Sequence, residues 1–284
     1  MQTARISALL EPFLRYPLSE QQLNQISIYI DLLQRWNARI NLTAIRTEEE
    51  IVTRHFGESL FLARHVFPPT VNSAERTPSS ANANAIKMSA PPNSAKQCHP
   101  ERSRDKSEAT VPAESKDPYL TNQLDSKQRH QGATCNRQPA TGNRVLDIGS
   151  GAGFPALPLK IWNPEISLTL IESNHKKCAF LKEVSRALTF TNINVIAERA
   201  ETLAAREDHL RAHVVTLRAV EHFETILPQA IAFLADQGTL ALLVGADQLA
   251  KLPAHTNLKW QSPIPIPNSA RRVLVLGRIC VKNA

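Results

Sequence analysis

A chain of 284 residues in which 42% are hydrophobic and 21% charged has a globular composition, and none of its apolar runs approaches the ~20 residues of a membrane-spanning helix. The first residues lack a signal-peptide core, and the cysteines at positions 98, 135, 178 and 280 form no C-x-x-C metal or redox pair. The net charge of +7 suggests a polyanionic partner without establishing one. We therefore expect a cytoplasmic monomer that binds neither a metal nor a membrane.

Residues 1–67 are predicted to be helical. Ser19 and Gln22 have the spacing of a capping box, and Thr47 and Glu50 repeat it before a second helix. Between the two starts, apolar residues recur at spacings of three and four, as on the buried face of an amphipathic helix: Leu23, Ile26, Ile30, Leu33, Trp36 and Ile40. The segment is predicted to form an N-terminal helical extension.

Residues 68–142 differ in composition from the rest of the chain. They are rich in Ser, Asn, Pro, Lys and Gln, contain no Phe or Trp, and show no sustained period. Such a segment cannot bury enough apolar surface to offset the entropy lost on ordering, so we predict a disordered insertion. It holds ten basic and seven acidic residues, which leaves a charge of only +4 for the remainder.

From residue 143 onward, short apolar runs alternate with helical patterns. The predicted strands are RVLDIG, SLTLIES, NINVIAER, HVVTLRAV, GTLALLVG and RRVLVLGRICV. Apolar strands separated by helices indicate an α/β, Rossmann-like domain over residues 143–284, with a doubly wound, mostly parallel sheet.

A glycine-rich turn follows the first of these strands. Gly149, Gly151 and Gly153 form G-x-G-x-G, which is neither the dinucleotide fingerprint G-x-G-x-x-G nor a phosphate-binding P-loop. Asp147 precedes the turn, and Glu172 ends the second strand, where a carboxylate can accept hydrogen bonds from a ribose. The pattern favours S-adenosylmethionine, a nucleoside with a cationic centre and no pyrophosphate. NAD binding, or a tight turn that binds nothing, are the alternatives.

Four blocks of the sequence resemble the ribosomal RNA small subunit methyltransferase G family. They are LLQRWNARINLTAIRTEEEIVTRHFGESL, VLDIGSGAGFPALPLKIWNPEISLTLIESNHKKCAFL, and the later AERAETL with VVTLRAV. The likeness covers most of residues 15–67 and 143–245. It implies a methyltransferase fold and the transfer of a methyl group from S-adenosylmethionine to N7 of one guanosine in 16S rRNA of the small ribosomal subunit.

The resemblance also implies roles for particular residues. Gly149 and Phe154 are expected to line the cofactor pocket, and Ala200 with Glu201 to flank the adenine. Arg218, after the fourth strand, is expected where the cofactor and the target guanine meet. Carried over in this way, Arg218 is the candidate catalytic residue.

The chain departs from the family pattern at three positions. Glu58 replaces an aspartate, Ala156 a glycine, and Val244 a lysine. The absence of that lysine puts the affinity for the RNA substrate in doubt more than it does the fold.

The chemistry of guanine N7 agrees with the residues present. N7 has a lone pair and no proton, so methylation needs no general base, only positioning and desolvation. Arg218 or Arg199 is placed to hold guanine O6. The marks of other acceptors are missing, because no [DN]-P-P-[YFW] follows the fourth strand and no cysteine lies near its end.

Arg199, His55 and Asn37 are the predicted RNA contacts, although each also has a structural interpretation. Arg199 can be a solvated or ion-paired surface group, His55 a core or capping residue, and Asn37 a cap at the end of the first helix. Two other functions stay open from the sequence: a methyltransferase of another substrate, and a non-catalytic RNA-binding protein with the same fold.

Overall fold

The computed structural model describes residues 1–68, 144–206, 208–218, 223–252 and 258–279. Apart from Pro68, the predicted disordered insertion at 68–142 lies outside these residues. Met1–Val71 and Arg137–Ala284 belong to one compact unit, so the N-terminal helices and the sheet can be described together. The predicted boundaries between three segments stay predictions.

A mixed sheet forms the centre of this unit. Its strands are β1 (Arg144–Ile148), β2 (Ser167–Ile171), β3 (Ile193–Ile196), β4 (Ala212–Arg218), β5 (Leu234–Gly245), β6 (Leu258–Trp260), β7 (Ile264–Pro265) and β8 (Arg272–Ile279). The order is β3-β2-β1-β4-β5-β8-β6, with β7 also paired to β8. The first five strands are parallel and the pairings of β8 are antiparallel. The predicted mostly parallel, doubly wound sheet is confirmed.

Helices precede the sheet and connect its parallel strands. They are α1 (Thr3–Leu10), α2 (Glu20–Asn37), α3 (Glu48–Glu50), α4 (Glu58–Val66), α5 (Ala156–Trp162), α6 (His175–Ala187), α7 (Ala200–Ala204) and α8 (Phe223–Ala232), with 3₁₀ turns at Glu11–Phe13 and Ala246–Lys251. No helix in the described part of the chain is long and apolar enough to span a bilayer.

The N-terminal helices begin where the capping signals predict. Ser19 and Gln22 make both hydrogen bonds of the capping box, and the Thr47 hydroxyl accepts from the Glu50 backbone. Between α3 and α4 the helix widens into a π-helical segment, Ile51–Gly57, which the sequence did not predict. A Cβ at Gly57 would lie 2.7 Å from the Phe13 ring, so this close packing requires glycine.

Two apolar clusters pack on the opposite faces of the sheet. Neighbouring strand residues alternate between them, so that Leu243 faces the N-terminal helices, α5 and α6, whereas Leu242 faces α7 and α8. The N-terminal helices therefore share a core with the sheet.

The structure differs from the sequence prediction around β5. The strand predicted at GTLALLVG begins four residues earlier, at Leu234, because this residue pairs with Ala212 of β4, and α8 ends at Ala232. An apolar run suits a buried helix or a buried strand equally, so periodicity could not separate them. The short strands β6 and β7 were not predicted.

Candidate functional site

The carboxyl ends of β1, β2 and β4 converge at one edge of the sheet. Strand β1 lies between β2 and β4, so the chain leaves β1 at the point where the strand order reverses. Open α/β sheets bind ligands in the crevice at such a point. The glycine turn that follows β1 is placed there.

Two of the three glycines border open space. Gly149, Gly151 and Gly153 have φ of 68°, 55° and 86°, a conformation that costs other residues ~1–2 kcal/mol. A Cβ at Gly149 would meet no atom within 4 Å, and one at Gly151 only the Gly149 carbonyl oxygen at 3.7 Å. This bare backbone fits a cofactor that approaches the main chain closely.

Gly153 has a different environment. A Cβ there would collide with the Tyr29 hydroxyl and lie 2.6 Å from Leu157. The Tyr29 hydroxyl also donates to the Ala152 carbonyl oxygen at 2.5 Å, so helix α2 holds the turn directly. Gly153 therefore packs against the protein's own side chains, and its predicted role in cofactor binding stays a prediction.

Glu172 connects the glycine turn to the end of β2. Its Oε2 accepts from the Gly151 backbone N–H and its Oε1 from the Asn174 N–H, both at 2.8 Å. The side chain is buried, yet each carboxylate oxygen has a second lone pair. Glu172 thus orders the turn and keeps acceptor capacity for the hydroxyls of a ribose.

Asp147 is a buried acid one strand away from Glu172. Its Oδ1 accepts from the Thr216 hydroxyl at 2.5 Å, whereas its buried Oδ2 has no hydrogen-bond partner among the described residues. Burial raises the pKa of Asp147 to about 7, and the Glu172 charge acts in the same direction. This unsatisfied oxygen beside the glycine turn suits a ligand with a hydrogen-bond donor or a positive charge.

Phe154 joins the glycine turn to the N-terminal helices. Its ring stacks on Tyr29 with centroids 5.2 Å apart and on His55 with centroids 4.5 Å apart. Only 7% of the residue is exposed, so most of the ring surface contacts other side chains. The pocket role that the resemblance implies for Phe154 stays a prediction.

His55 is neutral and has an assignable tautomer. Arg218 Nη1 lies 2.9 Å from His55 Nδ1, and since a guanidinium can only donate, Nδ1 is the acceptor. Nε2 then carries the hydrogen and donates to Thr43 Oγ1 at 2.8 Å. Burial, and then the positive charge of Arg218, lower the pKa of His55 to about 2. An imidazole held in this way does not act as a general acid or base at neutral pH.

Arg218 is the last residue of β4 and has several partners. Its Nη2 donates to the Arg54 carbonyl oxygen at 2.6 Å and to Glu58 Oε2 at 3.1 Å. Arg272 Nη2 lies 3.2 Å from the same Glu58 oxygen. Burial lowers the pKa of Arg218 to about 10, against the attraction of Glu58, so the guanidinium stays charged at neutral pH. One buried carboxylate thus orients two cations.

The other predicted site residues lie further out. Arg199 and Glu201 are exposed at the start of α7, and Ala200 between them is buried. Asn37 ends α2: its Oδ1 accepts from the backbone of Leu42 and Thr43, and its Nδ2 donates to the Thr43 carbonyl oxygen. Their roles toward the adenine or RNA stay predictions, and Asn37 has in addition the capping contacts that were its alternative.

Several residues of the site were missed. The sequence analysis did not single out Tyr29, Thr43 or Thr216, although a hydroxyl among apolar residues, as at Tyr29, is itself a signal of a buried partner. No group of three or more His, Cys, Asp or Glu able to hold a metal occurs among the described residues.

Comparison with known proteins identifies similar sequences. The family profile described as rRNA small subunit methyltransferase G matches residues 22–71 and 126–263. A protein named ribosomal RNA small subunit methyltransferase G from Chloroflexus aggregans is 30% identical over 272 residues, which cover 92% of this chain and 83% of the relative. The protein of that name from Xylella fastidiosa (strain 9a5c) is 28% identical over 274 residues, 93% of each chain.

A solved structure is similar over a smaller part. TYW2 from P. horikoshii, in complex with MeSAdo, is 14% identical and aligns with a TM-score of 0.39 over 48% of this chain and 56% of its own. The sequence relatives, in contrast, extend through the N-terminal helices and the sheet together.

Proposed function

The chain belongs to the rRNA small subunit methyltransferase G family, and from this premise we propose that it methylates N7 of a guanosine in 16S rRNA. The profile match spans both the helical extension and the sheet, which confirms the resemblance seen in the sequence. The chain is accordingly an S-adenosylmethionine-dependent rRNA methyltransferase. The choice of N7 is supported by the two residues at the proposed guanine position, because neither the neutral, hydrogen-bonded His55 nor the cationic Arg218 can remove a proton there.

The glycine turn and its two acids are the proposed cofactor site. Gly149 and Gly151 supply bare backbone, Glu172 the acceptor for the ribose hydroxyls, and Asp147 the unsatisfied oxygen. When bound, S-adenosylmethionine supplies an electrophilic methyl group on a positively charged sulfur. Ala200 and Glu201, which follow the carboxyl end of β3, are proposed to border the adenine, and Arg199 beside them to contact the RNA.

Arg218 is the proposed residue for positioning the guanine. Its contacts with His55, Arg54 and Glu58 fix the guanidinium plane before the substrate arrives. A donor directed at guanine O6 orients the base and leaves the N7 lone pair available as the nucleophile. Because N7 carries no proton, the neutral His55 and the cationic Arg218 need not titrate during the reaction.

The observation that supports this function most directly is that the open glycine turn and Arg218 lie at the same edge of the sheet. The test is methyl transfer from radiolabelled S-adenosylmethionine to small ribosomal subunits and to free 16S rRNA, followed by mapping of 7-methylguanosine. We expect one labelled guanosine. Label on another base or only in metabolite extracts would indicate a different substrate, and cofactor binding without transfer would indicate a non-catalytic protein.

The partner and location follow as further parts of the proposal. We infer that the small subunit or its rRNA is the partner, that the protein acts as a monomer in the cytoplasm, and that it uses no metal. Sedimentation of the purified protein with and without 16S rRNA tests the monomer, since a dimer would sediment at twice the mass before RNA is added.

A further inference from the structure

A groove opens beside the Arg218 site, between the π-helical segment and the turn that leads into β8. We call it the arginine groove; its volume is about 430 Å³, and its lining includes Thr53, Arg54, Glu58, Asn268, Arg271 and Arg272. It adjoins the site because Glu58, in its wall, is the carboxylate that binds Arg218. A ligand in the groove would therefore lie next to the proposed guanine position.

The position of the groove on the sheet supports the same conclusion. Arg272 pairs with Gly245 at the carboxyl end of β5, and Arg218 pairs with Leu243 two residues earlier on that strand. The groove thus continues the edge that holds the glycine turn. A polymeric ligand that places one of its residues in the site can therefore place the neighbouring residues along this edge of the sheet.

The charge of the groove is strongly positive. Three arginines line it, and Glu58 is the one carboxylate among the described lining residues. Glu58 is itself occupied, since it binds Arg218 and Arg272. The positive potential of these arginines extends to His55, because the charges of Arg218, Arg54 and Arg272 all lower its pKa. An anion in the groove would offset this excess charge.

Two of the arginines are free to meet such an anion. The side chains of Arg54 and Arg271 are exposed, and neither guanidinium is paired with another described side chain. A guanidinium matches a phosphate through two parallel N–H bonds, and phosphates along a nucleic acid strand recur at a spacing that an extended groove can follow. Arg54 contributes only its backbone carbonyl to the hydrogen bonds of the Arg218 site, so a substitution of its side chain leaves those bonds in place.

We propose that the arginine groove binds phosphates of the rRNA strand next to the target guanosine, through Arg54 and Arg271. This rests on the proposed function. The contacts are electrostatic and independent of base identity, so they set affinity and register rather than the choice of nucleotide.

The test compares Arg54→Gln, Arg271→Gln and the double variant with Arg186→Gln, an exposed arginine near the end of α6. Binding to 16S rRNA is measured over a series of salt concentrations. Each single groove variant is expected to bind on the order of fivefold more weakly at 0.1 M salt, with a salt slope lower by about 0.7, and the double variant should show about twice that change in slope. The groove variants should keep the maximal methylation rate and the cofactor affinity of the wild type. The control variant Arg186→Gln should match the wild type in RNA affinity and salt slope as well.

The outcomes separate the two proposals. If the wild type binds and methylates 16S rRNA while the double variant keeps full affinity and slope, the groove proposal is overturned and the function stands. If the variants lose affinity for assembled subunits but not for free rRNA, the groove binds a ribosomal protein, which also overturns it. A wild type that neither binds nor methylates rRNA overturns the proposed function itself.

Discussion

His55 and Arg218 are 163 residues apart in the chain and meet at 2.9 Å, with the imidazole as the acceptor. This hydrogen bond determines the tautomer of the histidine, whose other nitrogen donates to Thr43. Together with the ion pair between Glu58 and Arg218, it connects the N-terminal helices to the last residue of β4. The helical extension is therefore part of the candidate site and not an appendage to the sheet.

The first prediction separates the two ends of the glycine turn. Both Gly149→Ala and Gly153→Ala carry the cost of a positive φ, about 1–2 kcal/mol. Gly149→Ala places its methyl group in open space and is expected to weaken cofactor binding by about tenfold or more. Gly153→Ala collides with Tyr29 and Leu157 and is expected to lose more stability. Calorimetry and thermal unfolding measure the two effects, and equal cofactor affinity in Gly149→Ala and the wild type would refute the pocket.

The second prediction concerns the shared carboxylate. Glu58→Gln keeps the shape but removes the charge that compensates Arg218 and Arg272, and it is expected to cost about 3 kcal/mol of unfolding free energy. The control is Glu198→Gln, which removes an exposed ion pair with Arg206 and should cost no more than about 1 kcal/mol. Urea unfolding gives both values; similar losses in the two variants would contradict a special role for Glu58.

The third prediction is a pair of opposing titrations. Asp147 has a pKa of about 7 in the folded protein and an ordinary value of 3.8, so the folded state gains a proton, and stability, as the pH falls from 7 towards 4. His55 has a pKa of about 2 against an ordinary 6.5, so its contribution is present above pH 6.5 and is lost as the pH falls. We expect the two effects to offset each other in the wild type between pH 6.5 and 4.

Single substitutions should reveal each titration. Relative to the wild type, Asp147→Asn is expected to lose stability towards acid more steeply, by about 1.4 kcal/mol per pH unit. His55→Gln, whose amide oxygen can still accept from Arg218, should deviate by the same amount in the opposite direction. Urea unfolding from pH 4 to 7 is the measurement, and three parallel curves would show that neither group titrates as inferred.

The fourth prediction tests the grip of helix α2 on the turn. Tyr29→Phe removes the hydroxyl that donates to the Ala152 carbonyl oxygen and keeps the ring that stacks on Phe154. We expect a loss of about 1 kcal/mol in stability. Cofactor affinity should fall severalfold because the turn is less ordered. If thermal unfolding changes while affinity does not, the contact supports the fold alone.

Much of the fold was predictable because its signals are local. Capping residues marked the starts of α2 and α3, and the alternation of apolar runs gave the parallel strands. The π-helical segment was not predicted, and the close contact of Gly57 with Phe13 joins positions too far apart in the chain to leave a local signal. β7 was missed because two residues carry no period.

The site was predictable in part for the same reason. Asp147, the glycines and Glu172 sit at strand ends, and parallel strands bring such ends together. The environment of His55 could not be predicted from the sequence, because its stacking on Phe154 and its hydrogen bond with Arg218 join segments that are distant in the chain. Tyr29 was hidden for a simpler reason: it occupies an apolar stripe, where an aromatic ring is expected in the core.

The sharing of Glu58 by two arginines has a consequence for synthesis. Translation delivers Glu58 long before its partners at positions 218 and 272 of a 284-residue chain. Domains fold as they emerge, and until the arginines arrive this carboxylate must stay hydrated. A product that ends before residue 272 lacks Arg272, so the charge of Glu58 is compensated by Arg218 alone. Such an incomplete protein is less stable and is therefore a better substrate for cellular proteases.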